Sequence, residues 1–304
     1  MVYLMLIIGL SLLVWGGNLL VDGSVGVAKK MGLSSLVIGL VLVGFGTSTP
    51  ELLASLLSVL KGSNGIALGN VIGSNIANIL LVLGAAAVIH PVKIDIKDFK
   101  RDGFFLMLAS IMVVASVYFG IINRVIGFIL VSTLIGYVFY CYKTDKKNHQ
   151  DEEKEQAKMS LTKALILSFV GIGLTMLGAK FLVDNAILLA RMWGVSEAVI
   201  GLTIVAVGTS LPELAASMTA SFKKENGVAF GNVVGSNIYN ALFILGTVAL
   251  ILPIKIEESM RIDSLIMLLV AFVLTGVAFW KKCFSRTIGF LFLCSYAAYI
   301  WYLF

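Results

Sequence analysis

Charge is scarce in this 304-residue chain: 13% of its residues are Asp, Glu, Lys or Arg, against roughly 25% in ordinary soluble domains. So few ions cannot cover a water-facing surface. With 59% hydrophobic residues and a mean hydropathy of +0.99, the composition is that of an integral membrane protein. Histidine is rarer still, with His90 at a helix end and His149 in a polar linker, which argues against an imidazole metal centre. The three cysteines, Cys141, Cys283 and Cys294, are odd in number and lack metal-type spacing. Neither a disulfide framework nor a zinc site is expected, and all three are placed in helices as packing residues. No HExxH, Ser-His or Ser-Lys arrangement occurs, so an enzyme is not expected. The polar/apolar alternation of a membrane β-barrel is also missing.

What is present is a series of apolar runs, each long enough to cross a bilayer as a helix of about 20 residues. They fall near 1–21, 35–60, 66–90, 103–120, 124–142, 161–183, 197–222, 227–252, 262–280 and 287–303, which predicts an all-α membrane protein with ten transmembrane helices. The first run lacks a basic flank and a small-residue cleavage site and reads as a retained helix. Lysine and arginine mark cytoplasmic loops. Of the 23, 17 fall in one set of loops, among them Lys29, Lys30, Lys93, Lys97, Lys100, Arg101, Lys223 and Lys224, and 6 in the other. Both termini are therefore expected outside, in the cell membrane, and the basic balance is no sign of nucleic-acid binding.

The chain repeats itself. "VIGLVLVGFGTSTPELLAS" at Val37 returns as "VIGLTIVAVGTSLPELAAS" at Val199, and "GNVIGSNIANILLVLG" at Gly69 returns as "GNVVGSNIYNALFILG" at Gly231, both 162 residues later. The offset extends from Val21-Asp22, matched by Val183-Asp184, to Pro91-Val92-Lys93, matched by Pro253-Ile254-Lys255. Each copy then carries five helices, an odd number, so the second enters the membrane from the opposite side. Such inverted repeats are typical of secondary transporters, whose ion sites lie near the midplane. The expected layout is a first repeat over 1–142, a solvated cytoplasmic linker over 143–160 and a second repeat over 161–304.

Each copy places a glutamate, Glu51 or Glu213, inside an apolar helix. An ionised side chain at the membrane centre costs roughly 2.5–3.5 kcal/mol on insertion scales, and no lysine or arginine lies in either helix core. The neighbours supply oxygen instead. Thr47, Glu51 and Ser55 line one helical stripe with Ser48 beside it, matched by Thr209, Glu213, Ser217 and Ser210; the next helix adds Asn70, Ser74 and Asn78, matched by Asn232, Ser236 and Asn240. Pro50 and Pro212 lack an N–H. The expectation is that each kinks its helix, leaving carbonyls without donors around Gly44 and Gly46, and around Ala206 and Gly208. Free carbonyls in a membrane suit a cavity or a ligand, and two carboxylates with neutral oxygens suit a hard cation such as Ca2+, which takes 6 to 8 oxygen ligands. The plainer reading of the glutamates is a pair of neutral, hydrogen-bonded core acids. For Gly69, Gly73, Asn75 and their repeats, helix packing is expected over ion contact.

The blocks "GTSTPE...GNVIGSNIAN" and "GTSLPE...GNVVGSNIYN" resemble the two alpha-repeats of the sodium/calcium exchangers of the cation/calcium exchanger superfamily, particularly its compact prokaryotic members. The resemblance covers nearly the whole chain. It implies Na+-driven, electrogenic Ca2+ transport by alternating access, with Ca2+ and Na+ as transported ions and helices 1 and 6 sliding past the remaining bundle. It assigns the central carboxylates to Glu51 and Glu213, hydroxyl or carbonyl ligands to Thr47, Ser48, Thr209, Ser210, Ser74, Ser236 and the backbone at Gly44 and Ala206, and the remaining contacts to Asn78 and Asn240. Relatives that carry Asp at the Asn240 position include the potassium-dependent branch, so asparagine in both copies implies no potassium requirement. The bilayer is the implied partner, and no protein partner is. A proton/calcium exchanger stays open, because glutamates carry protons as readily as sodium, as does a passive cation channel lined by carboxylates and carbonyls.

Overall fold

The computed structural model describes residues 1–148, 159–194, 206–256, 258 and 260–303. It opens with α1 (Val2–Met31), ended by Gly32 at φ 63° and ψ 42°, a left-handed cap whose N–H returns to Ala28 O. Ser34 caps the next helix, α2 (Ser35–Thr47), by accepting from Val37 N. One residue, Ser48, separates it from α3 (Thr49–Leu60), and the two axes differ by 41°. Then come α4 (Asn64–Ile89), α5 (Ile96–Tyr118) and α6 (Arg124–Asn148). The second half holds α7 (Leu161–Met192), α8 (Ala206–Thr209), α9 (Leu211–Phe222), α10 (Asn226–Ile251), α11 (Met260–Lys281) and α12 (Arg286–Leu303).

Among the described residues, seven helices are long and apolar enough to cross a membrane, or eight if α2 and α3 count as one bent span. The expected span 197–222 lies partly outside the described residues, as does most of the linker. Several ends differ from the hydropathy reading. Helix α1 runs to Met31, α5 starts at Ile96 and α7 runs to Met192, because caps such as Gly32 and Asp95, which accepts from Lys97 N at 2.8 Å, end helices where polarity alone does not. Helix α6 continues to Asn148, into what reads as linker. Arg101 lies within α5, not in a loop. Its Nε is 2.7 Å from the fully buried Asp102, which also accepts from Tyr137 OH at 2.9 Å, so the ion pair staples α5 to α6. Cys283 corrects another expectation, since it stands in a two-residue strand. Cys141 is buried, but Cys294 is exposed on α12.

The fold obeys the 162-residue offset in its contacts as well as its letters. Strand β1 (Val92–Lys93) pairs antiparallel with β4 (Cys283–Phe284), Val92 opposite Phe284. Strand β2 (Ile121–Ile122) pairs with β3 (Ile254–Lys255), Ile122 opposite Ile254, which is the same pairing with the copies exchanged. The main core is built by α4, α5, α6, α10, α11 and α12, with Phe99 and Phe230 rings 5.1 Å apart at its centre. Helices α1 and α7 stand beside it, joined to the rest through two small apolar clusters. They lie antiparallel along a glycine seam: a Cβ on Gly178 would sit 2.7 Å from Gly9 O, and one on Gly16 would sit 3.0 Å from Gly171 O.

Candidate functional site

Proline places the site. Pro50 and Pro212 occupy the first turn of α3 and α9, where the missing N–H leaves no bond unmade. The chain breaks two residues earlier, at Ser48 (φ −83°, ψ 6°) and Ser210 (φ −87°, ψ 5°). Glu51 and Glu213 therefore stand in the first turn of a half-helix, at its positive end. The expected kink is thus a helix break at serine. The expected free carbonyl at Gly44 is also corrected: it accepts from Ser48 N at 3.1 Å and from Ser236 Oγ at 3.4 Å, because α2 keeps its helical bond up to the break and α10 packs close. A Cβ on Gly44 would sit 3.0 Å from Ser236 N.

Both glutamates are fully buried. Ser48 Oγ, free to cap its own helix, donates instead across the site to Glu213 Oε1 at 3.1 Å. Glu213 Oε2 and both carboxylate oxygens of Glu51 have no hydrogen-bond partner, nor do Thr209 Oγ1, Ser210 Oγ or the whole amides of Asn78 and Asn240. Among the described residues no lysine or arginine pairs with either glutamate. Two buried carboxylates with no counter-charge beside them would each cost several kcal/mol. A hard cation satisfies them and the orphaned amide and hydroxyl oxygens together. No cluster of three or more His, Cys, Asp or Glu occurs among the described residues, so the oxygens beyond the two carboxylates come from neutral groups.

The amides come from an element that the letters did not reveal. Helices α2, α4 and α10 each contain a π-turn, Gly39–Gly44, Asn78–Leu83 and Tyr239–Ile244, a feature that gathers at functional sites. Gly44 ends the first, Asn78 opens the second and Asn240 lies in the third. The turn carrying Asn78 packs on α9 and that carrying Asn240 on α3, so each amide stands on a turn that lies against the opposite copy's broken helix. Ser74 and Ser236 are buried one turn earlier on α4 and α10, and Ala206 opens α8.

The packing expectation for the glycines holds in the second copy. Gly231 abuts Leu36 O, and a Cβ on Gly235 would sit 2.5 Å from Leu40 O. In the first copy, among the described residues, a Cβ on Gly69 would meet Met260 Sδ at 4.0 Å and one on Gly73 nothing within 4 Å; positions 198 and 202, related to Leu36 and Leu40, lie outside the described residues. Asn75 bonds across to Asn237 O at 3.3 Å as expected, whereas Asn237 turns back to Val233 O of its own helix at 2.7 Å. Two residues of the polar stripes, Asn70 and Asn232, have a part that the stripe alone does not disclose. Their side-chain nitrogens hold the peptide oxygens of Glu51 and Glu213 at 3.1 and 3.2 Å.

Comparison with known proteins places this architecture. The family described as sodium/calcium exchanger protein matches residues 1–143 and 163–304. The inner membrane protein YrbG of Escherichia coli is 33% identical over 288 residues, covering 91% of this chain and 88% of its own. The sodium/calcium exchanger MaX1 of Methanosarcina acetivorans is 31% identical over 313 residues, covering 90% and 89%. The solved structure of the sodium-calcium exchanger NCX_Mj soaked with 2.5 mM Na+ and 1 mM Sr2+ superposes with a TM-score of 0.87 at 31% identity, covering 98% of this chain and 97% of that one.

Proposed function

Because the chain belongs to the sodium/calcium exchanger family, we propose that it is an electrogenic antiporter of the cell membrane, moving Ca2+ against Na+ by alternating access. The observation that carries this reading is the set of buried, unpartnered oxygens on Glu51, Glu213, Asn78, Asn240, Thr209 and Ser210, where two broken helices meet. The site as proposed consists of those residues with Thr47, Ser48, Ser74, Ser236 and the backbone of Gly44 and Ala206. Its two carboxylates balance one Ca2+, and Na+ competes for the same oxygens.

The architecture proposed with it is ten transmembrane helices in two inverted five-helix repeats, 1–142 and 161–304, with 143–160 cytoplasmic and both termini outside. In support, each small sheet joins segments that the basic residues assign to one side: Lys93 lies near Lys282 and Arg286, and Lys255 near Arg124. The glycine seam between α1 and α7, set apart from the main core, suits a pair of helices that slides as a unit.

The test is ion-specific counterflow in liposomes of the purified protein. Vesicles loaded with Na+ and diluted into Na+-free medium should accumulate Ca2+ beyond equilibrium, with charge movement and without K+. Uptake driven by a pH gradient alone would select proton coupling. Currents with no uphill movement would select a channel.

A further inference from the structure

Two asparagines that carry no orphaned atom sit between the ion site and the helices around it. Asn232 Nδ2 donates to Glu213 O at 3.2 Å and to Ser217 Oγ at 2.9 Å, and Ser217 Oγ in turn donates to Ala229 O at 3.4 Å. Asn70 does the same in the first copy, to Glu51 O at 3.1 Å and Ser55 Oγ at 2.9 Å, with Ser55 Oγ donating to Ala67 O at 3.5 Å. Each clip ties the helix that bears a site glutamate to the helix that bears a site amide, Asn78 or Asn240. It thereby sets the height of the carboxylate against that amide.

The clip also fixes which way each amide faces. A peptide oxygen can only accept, so the NH2 group must point at the glutamate backbone and the amide oxygen must point away. On Asn232 that oxygen receives Thr47 Oγ1, from the opposite copy, at 3.2 Å. The threonine has one proton, and Val43 O of its own helix competes for it at 3.0 Å. In the related position, among the described residues, Thr209 Oγ1 has no partner, and nothing joins it to Asn70. One geometry is therefore seen in two states: joined across the copies at Thr47 and Asn232, parted at Thr209 and Asn70.

We infer that Asn70 and Asn232 are positioning residues of the exchange reaction. Each holds a site glutamate by its peptide and accepts the hydroxyl of the opposite copy's threonine when that copy's broken helix closes over the site. The inference rests on the antiport reading. Closure on one side thus reaches the glutamate through an amide, and the two joints alternate as the site changes sides.

The test uses the full chain in liposomes, with Na+-driven Ca2+ uptake as the readout and the Ca2+ concentration for half-maximal uptake kept separate from the maximal rate. Asn70→Ala and Asn232→Ala should each raise that concentration about five- to tenfold, the loss expected of one or two hydrogen bonds. Asn232→Asp, which keeps the acceptor for Thr47 and loses both donors, should be no better than Asn232→Ala. A clip that only supports the fold would instead lower the melting temperature and the maximal rate, with the half-maximal concentration unmoved, and that result overturns the inference. The joints are tested by combining Thr47→Val with Asn232→Ala, and Thr209→Val with Asn70→Ala. Non-additive effects are expected in both pairs, and additivity in either overturns the alternation. The same couplings are read from stabilisation of the purified protein against heat by Ca2+ and by Na+. They stand or fall there even if wild-type vesicles show no uptake, which would refute the antiport reading alone.

Discussion

The two halves of this molecule carry almost the same letters at the site and make different contacts. In the first half the break at "GTSTPE" reaches across: Thr47 meets Asn232, Ser48 meets Glu213, and Gly44 accepts from Ser236. In the second half, at "GTSLPE", Thr209 and Ser210 keep hydroxyls without partners. The same inequality appears nearer the surface. Lys223 Nζ is 2.7 Å from Asp22 Oδ1 and 3.1 Å from Asn18 O, tying α9 to α1, while Lys61 and Asp184, the residues related to them by the offset, are not joined to each other. Chemistry that is equal and contacts that are not point to a conformational difference. This inequality is what an exchange of conformations between the halves, as proposed above, would produce, with the contacts changing places.

Removing either carboxylate should have the largest effect, and it asks whether the halves are equal in function. Glu51→Gln and Glu213→Gln each leave the other glutamate and the surrounding oxygens with less charge than a divalent ion needs. Losing one partner of a buried charge cluster costs about 3–5 kcal/mol, so Ca2+ uptake should fall by about two to nearly four orders of magnitude while the folded protein elutes as before. Near-normal flux in either variant would remove that residue from the site. Substantial flux in one variant alone would show that the halves differ in chemistry as well as in conformation.

Much of this was legible in the letters because the repeat doubles every signal. The glutamates, Ser48, Ser74, Ser210, Ser236, Asn78 and Asn240 were all visible in the letters and are all buried in the fold, and proline marked the neighbourhood of each helix break. The break itself fell at serine, since proline tolerates a first helical turn and the chain opens just before it. The π-turns leave no trace in hydropathy, because a turn of that kind changes the phase of a helix and not its composition. Asn70 and Asn232 were visible as members of a polar stripe, but which stripe residues face the ion and which hold the backbone depends on the neighbouring helix. Helix ends were misjudged where caps, not polarity, decide them. Arg101 read as a loop cation because Tyr137, which donates to the adjoining Asp102 and holds that pair inside the fold, comes near it only when the chain folds.

The seam between α1 and α7 sharpens the comparison in a second way, with an intermediate effect. If these helices slide against the core, the seam must keep its close fit in both arrangements. A methyl group on Gly178 would meet Gly9 O and Leu13 N at 2.7 Å, both backbone atoms that cannot step aside. Overpacking of this kind costs about 1–3 kcal/mol. Gly178→Ala should therefore cut the uptake rate severalfold and lower the melting temperature. A methyl group added to Gly276 on α11 would meet nothing within 4 Å among the described residues, and the change to alanine there should leave transport intact and stabilise the helix slightly. A Gly178→Ala protein with wild-type rate and stability would show that the two helices are not closely packed while the protein works.

The smallest expected effect bears most directly on whether the inequality alternates. Asp22 and Lys223 are partly exposed, at 54% and 27%, and such pairs are worth about 0.2–1 kcal/mol. Lys223→Ala should shift the balance between the two arrangements by that amount, toward the one in which α1 and α9 part. Lys61→Ala should shift it in the opposite sense, because the bond that it removes belongs to the other arrangement. In vesicles with the protein oriented one way, the Ca2+ affinities measured from the two faces should move in opposite directions in the two variants, by about 1.5- to 5-fold. Raising the salt to about 1 M should weaken both shifts, since the screening length there falls to about 3 Å, close to the separation of the paired charges. Shifts in the same direction would mean that the two ion pairs are ordinary surface contacts, and that the inequality between the halves resides in the site alone.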